Sequence, residues 1–551
     1  MAVSKHAIFI CCLMGLYRFT YGVHSFLSIP VPFHPSSPER QTMTHDEMRD
    51  FTKQKHRNLS ITLLGGESTN SYKIAQYFLP FNKTCLIAGE LGSEAVKDHE
   101  VDLVANYFNV CTGRARSTFD TSLVSDNIFD VIDTWTFQSK LQFCPTHKYF
   151  GIGLVYHHHL SSHFDKGWWF ELAMPIMCVK NNMGMCETIE VCGGEGGDDP
   201  QQTSSFFSNE ANHYASQSMT AALCNANVLR YGRIDCREYR RTKWGVADLE
   251  FRLGYTYFKE PFYHLSSYIG VLAPTGNKPT GEFMFEKIVG YNGHTGFFLG
   301  TNGGICVWSH ERNFLTFEFD TSATMFIDNL QVRSFDMYGK PWGRYIWVYP
   351  NNNVQTVLKP GINYFTKGVY VGHGSLRNIN LAWVYTMSDF QGELGYHFYS
   401  RDREKVCLAN TWKDEHALAA LWYSNNNFVE AGQKRVSRTN AIINNYNEVS
   451  NDLEQFKAFP VSAGMTEGEV EARSDNLKNN DIYLPVNKCQ LDLDSAANPS
   501  VVIHTLYGSL GYGWYDIVFP TFINIAGGYE FGDGPAVIDR WKLWFKVGVS
   551  F

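Results

Sequence analysis

The sequence predicts an all-β chain, a transmembrane antiparallel β-barrel of about 12 strands, within bounds of about 10 to 14, with long outer loops and an N-terminal plug or latch segment. Three observations predict it. Segments of roughly ten residues alternate apolar and polar side chains along much of the chain. Beyond the N-terminal region no run of about 18 apolar residues occurs, so no spanning helix is expected. The connections between alternating segments are short and long by turns, as in a cylinder whose rims face different compartments.

Composition agrees with a strand-rich, exported chain. Aromatic residues make up 15% and charged residues 19% of the 551 positions, against roughly 25% charged in ordinary soluble domains. A net charge of −8 offers no basic surplus to release counterions from a phosphate backbone, so nucleic acid is not an expected partner.

Residues 1–22 read as an export signal: Lys5 and His6, an apolar run from Ala7 to Tyr17, and cleavage after Gly22. Residues 23–133 read as a periplasmic or plug segment. They begin with Pro30, Pro32, Pro35 and Pro38, continue through the strand-like Leu59, Ile61 and Leu63, and carry a short helix over Ser71 to Phe78. With Cys11 and Cys12 in the signal, 11 of the 13 cysteines remain, an odd number that cannot all pair internally. Cys178, Cys186, Cys192, Cys224 and Cys236 crowd one long segment whose ends some of them can bridge.

The barrel is placed at 134–551. Its strands are expected to start near residues 134, 149, 167, 246, 262, 294, 313, 376, 389, 500, 519 and 541. The clearest is the last: Trp541, Leu543, Phe545, Val547, Val549 and Phe551 alternate with Lys542, Trp544, Lys546, Gly548 and Ser550, which puts the two sets on opposite faces. Leu249, Phe251, Leu253, Tyr255 and Tyr257 repeat the pattern against Glu250 and Arg252, and Leu315, Phe317 and Phe319 against Glu318 and Asp320. In the strand near 134, Trp135, Phe137, Leu141 and Phe143 oppose Lys140. Counting back from a periplasmic C-terminus, turns near 160, 260, 310, 388 and 516 fall at one rim, and the long segments 180–244, 274–293, 328–375 and 400–499 at the other.

The stretch around Gly245, Asp248, Tyr255, Gly270, Pro274, Thr275 and Gly276 resembles a hairpin of outer-membrane transporters associated with aromatic-hydrocarbon and phenol degradation, in the style of the long-chain fatty-acid channels. The match spans about a tenth of the chain, and loop length and cysteine content depart from the family. The resemblance implies a monomeric barrel passing small molecules, hydrophobic ones included. The terminal strand ending on Phe551 likewise resembles the assembly signal of bacterial outer-membrane barrels, which implies the barrel-assembly machinery and outer-membrane lipid as partners.

Chemistry-bearing clusters are sparse. His157, His158, His159 and His163 invite a metal reading, but on a strand His158 points away from His157 and His159. The acidic stretch Glu195 to Asp199 lacks a calcium-loop spacing. Ser375 follows His373 by two residues, yet no G-x-S-x-G elbow occurs, and no dinucleotide or phosphate-loop motif is present. No catalytic residue, metal or cofactor is expected. The register assigns Glu171, Asp248, Glu250, Glu318, Asp320, Glu393 and Glu530 to the lumen with Lys140, Arg252, Lys542 and Lys546. In an open pore this acid excess would favour cations. Paired across strands, the same charges would cancel. The expected role is a bacterial outer-membrane channel for passive uptake of small solutes. The alternatives are a surface receptor, adhesin or structural protein on a closed barrel and, behind them, a barrel hydrolase.

Overall fold

The computed structural model describes residues 23–43, 57–88, 138–160, 166–191, 218–237, 242–260, 262–338, 341–345, 347–350, 359–418 and 486–551. Twelve strands form the wall: β1 Arg57–Ser68, β2 Thr146–His159, β3 Gly167–Asn182, β4 Leu249–Glu260, β5 Tyr263–Ala273, β6 Gly296–His310, β7 Asn313–Phe326, β8 Leu376–Met387, β9 Phe390–Arg401, β10 Val501–Trp514, β11 Thr521–Phe531 and β12 Arg540–Ser550. Each pairs antiparallel with the next in sequence, and β1 closes the cylinder by pairing with both β2 and β12. Ile61, for example, lies between Leu154 and Val547. A shorter strand, Thr242–Val246, extends the pairing of β3 beyond β4.

Alternation sorts the side chains as a closed sheet in hydrocarbon requires. Outward positions are apolar on every strand, among them Ile61, Phe150, Leu172, Phe251, Ile269, Leu299, Met325, Trp383, Leu394, Leu510, Ile525 and Leu543, all exposed. Lipid cannot satisfy an open strand edge, and closure leaves none. Exposed aromatic residues gather towards the short-turn ends (Tyr257, Phe262, Trp308, Tyr385, Phe390, Trp514) and again near the opposite ends (Phe297, Tyr529, Trp541), as expected of interfacial girdles. No helix among the described residues is long and apolar enough to cross a membrane.

One expected strand is corrected. Gln138–Phe143 lies outside the wall, in a small sheet between Cys85–Ala88 and Met185–Val191. Leu141 and Phe143, read as lipid-facing, are buried, while Lys140 is exposed and belongs to no lumen. The segment has six residues, short of the roughly nine to eleven that a tilted strand needs to span a bilayer. Arg57–Ser68, with twelve, takes its place, so residues 23–133 do not form one unit ahead of the barrel. Trp135 and Phe137 lie outside the described residues, as do the export signal and the acidic stretch at 195–199.

The described parts of the long connections form a cap on one rim. A helix at Ser71–Phe78 follows β1, burying Ile74, Ala75, Tyr77 and Phe78 on one side, and it stops at Leu79, the residue before Pro80, where the helical conformation is disfavoured. Asn329–Ser334, Thr366–Gly372 and Lys405–Leu408 form one small sheet of the cap, and Trp347–Pro350, Lys359–Pro360 and His416–Leu418 another. A Cys224–Cys236 disulfide bridges part of the cysteine-rich loop.

Candidate functional site

The lumen is occupied by the chain itself. Residues 23–43 run inside the cylinder from the capped rim, where the Ser25 amide donates to Ser495 and the Ser28 amide to Asn498 Oδ1, to Met43, whose sulfur lies beside Gly511 near the other end of β10. The local sequence suits this path. Pro30, Pro32, Pro35 and Pro38 carry no N–H that would need a partner inside, and the backbone turns at Pro32–Phe33 and Pro35–Ser36 before the single helical turn Pro38–Gln41. Phe33 sits at φ +65° with its ring over Gly153, where even a Cβ would lie 2.3 Å from that ring.

The wall grips this segment through polar side chains. Arg40 is held by Glu250 at 2.7 Å and by Glu171, while Arg252 reaches Glu250 and also lies 3.6 Å from Glu171. Glu39 pairs with Lys542 at 3.0 Å; Lys542 reaches Glu530 at 3.1 Å and Arg540 reaches it at 2.9 Å. Lys546 donates to the carbonyls of Arg40 and Thr42 at 2.8 and 2.9 Å, and Trp544 Nε1–H to Thr42 Oγ1 at 3.0 Å. Ser36 donates to Asp320 and its hydroxyl pairs with that of Ser322 at 2.9 Å, and Gln41 donates to Asp320 at 3.2 Å.

Of the residues read as lumen-lining, Glu171, Glu250, Arg252, Asp320, Glu530, Lys542 and Lys546 therefore converge on the segment or on its partners. Glu393 and Glu318 also point inward but hold wall groups: Glu393 accepts from Tyr507 at 3.0 Å, and Glu318 lies 3.3 Å from His264. Asp248 sits at the rim, accepting from the Gly276 amide at 2.9 Å and so fastening the 274–293 loop. Sequence reasoning missed the wall's Arg540 and the segment's own Ser36, Glu39, Arg40 and Thr42; the closely spaced prolines, which keep this stretch out of the strand ladder, were the local signal. His157 and His159 share a face with rings 4.9 Å apart, and His163 lies outside the described residues; among the described residues no group of three metal-type side chains converges. His373 Nδ1 pairs with the Gly374 carbonyl at 2.8 Å.

Twelve strands enclose one stopper. No known family profile matches the chain, and no curated protein matches it in sequence. Among solved structures, it is similar to an outer membrane channel from Pseudomonas putida F1 at 8% identity and a TM-score of 0.35, covering 91% of this chain and 99% of that one. It is also similar to the CymD monoaromatic hydrocarbon channel (8% identity, TM-score 0.24, 90% and 88% covered) and a Pseudomonas aeruginosa FadL homologue (6%, 0.26, 90% and 90%). A likeness at these scores carries no functional weight; the barrel stands on its strand pairing.

Proposed function

We propose that the chain is a passive outer-membrane channel for small solutes whose bore is closed at rest by residues 23–43. The observation that carries this reading is the way the bore is filled. A barrel with a purely structural role needs only packed wall side chains inside, whereas here the filling is a separate segment of chain, attached by ion pairs and hydrogen bonds that water can replace and by the packing of Val23, Leu27, Val31 and Phe33. Its release would leave a polar, water-compatible bore. The lumen acids already face Arg40, Arg252, Arg540, Lys542 or uncharged donors, so local pairing rather than strong cation selection is their role in the closed state. Exposed Phe551, whose amide donates to the Arg57 carbonyl at 2.9 Å, closes the last strand against the first and is proposed as the mark read during membrane assembly.

The folded cap favours a second reading, a surface receptor on a closed barrel, because its small sheets and disulfide give the loops defined shape. Solute uptake by proteoliposomes separates the two. Deleting residues 23–43 is expected to raise entry of small neutral solutes well above that of the full chain, with larger sugars still excluded. Equal, background-level uptake by both proteins would remove the channel reading and leave the receptor.

A further inference from the structure

At the capped rim the outer face of the wall changes character between two adjacent rows of side chains. In the lower row Leu543, Gly65, Phe150, Cys178 and Trp244 lie side by side across five paired strands. Leu543, Phe150 and Trp244 are exposed, as suits the edge of the hydrocarbon layer. The next row, two residues further along each strand and therefore on the same face, runs Trp541, Glu67, Lys148, Lys180 and Thr242. Rings thus give way to ammonium groups within one step, the order found at a bilayer interface, where indole rings sit at headgroup level.

The charges of the upper row do not balance. Lys148 and Lys180 stand directly opposite each other on antiparallel strands, where Cβ atoms come within about 5 Å and like charges repel. Glu67, across from Lys148 on its other side, pairs with it at 2.6 Å. Lys180 is half-buried and has no carboxylate within ion-pair distance among the described residues. Two ammonium groups therefore share one carboxylate at the height where the wall leaves hydrocarbon.

We propose that Lys148 and Lys180 bind the headgroup phosphate of an outer-leaflet lipid whose acyl chains lie along Leu543, Phe150 and Trp244. The lipid supplies the negative charge that the row lacks and covers the apolar row beneath it. A neutral headgroup would leave Lys180 unmatched, and a free phosphate would leave the apolar row uncovered. The site requires the barrel to sit in a bilayer and does not depend on the bore conducting.

Native mass spectrometry of the full-length protein, released from detergent in the presence of lipid A, tests it, with lipid A stripped of its phosphates and inorganic phosphate as comparison probes. A lipid A adduct is expected, with the dephosphorylated lipid and inorganic phosphate each retained about fivefold less, the effect of one lysine near an anionic surface. Lys180→Gln should lower lipid A retention by a similar factor, and Lys180→Arg should keep it. Glu67→Gln, which frees Lys148, should raise retention, a direction that damage to the fold cannot imitate. Equal retention of the two lipids, an inorganic phosphate adduct as abundant as that of lipid A, undiminished retention by Lys180→Gln, or no gain with Glu67→Gln would each overturn the proposal.

Discussion

Arg40 is the cation at the centre of the closed bore, set between Glu171 and Glu250 with all three side chains largely out of water. Removing one member of a buried ion pair strands the others, at a cost on the order of 3–5 kcal/mol. Arg40→Met should therefore release the stopper, seen as frequent conducting events in planar bilayers where the parent stays quiet; a quiet Arg40→Met would contradict the assigned role. Gly153 tests the same contact sterically. Any side chain there meets the Phe33 ring, so Gly153→Leu should also raise conductance while leaving the wall folded. Little of this was legible beforehand. Period-2 alternation assigned Glu171 and Glu250 to the inner face, but it is a statement about one strand at a time and carries no information on which distant residue supplies the counter-charge. Arg40, separated from Glu250 by about 210 positions, had no local pattern to mark it.

At the scale of elements, β1 shows what alternation can and cannot place. Leu59, Ile61 and Leu63 were recognisable as strand, yet membership of the wall is decided by length and by two free edges, those of β2 and β12, which local pattern does not encode. The 138–143 strand was misplaced for the converse reason: its alternation is real, but its apolar side packs into the cap. The helix Ser71–Phe78 was legible because helix spacing and a following proline are local signals. The stopper's upper end carries a pH prediction. His24 stacks on Tyr77 at 5.0 Å, and burial holds its imidazole at about 4, below the 6.5 of a free histidine. The released segment therefore binds a proton more readily than the docked one. Docking is fully favoured above pH about 6.5 and weakens as pH falls towards 4, by at most about 1.4 kcal/mol per pH unit for this group. Amide exchange in residues 23–28, corrected for its intrinsic rate, should speed up between pH 7 and pH 5. Rates unchanged over that interval would show that His24 does not contribute.

Across the whole molecule, eleven of the twelve wall strands lie close to their expected positions, because a cylinder imposes one rule everywhere: short turns at one rim, long loops at the other. That rule also shows where the sequence ran out, since the same up-and-down count is satisfied whether the first strand begins at 134 and turns tightly into the second, or begins at 57 and crosses by a long loop. Everything functional rests on the greasy wall facing hydrocarbon while its inner face is filled. Spin labels placed singly along β1, from Leu59 to Leu64, in protein reconstituted into lipid vesicles report this most directly. Labels at 59, 61 and 63 should be accessible to oxygen dissolved in the bilayer and shielded from a water-soluble nickel complex, and labels at 60, 62 and 64 shielded from oxygen. Uniform exposure to the nickel complex along those six positions would contradict the account.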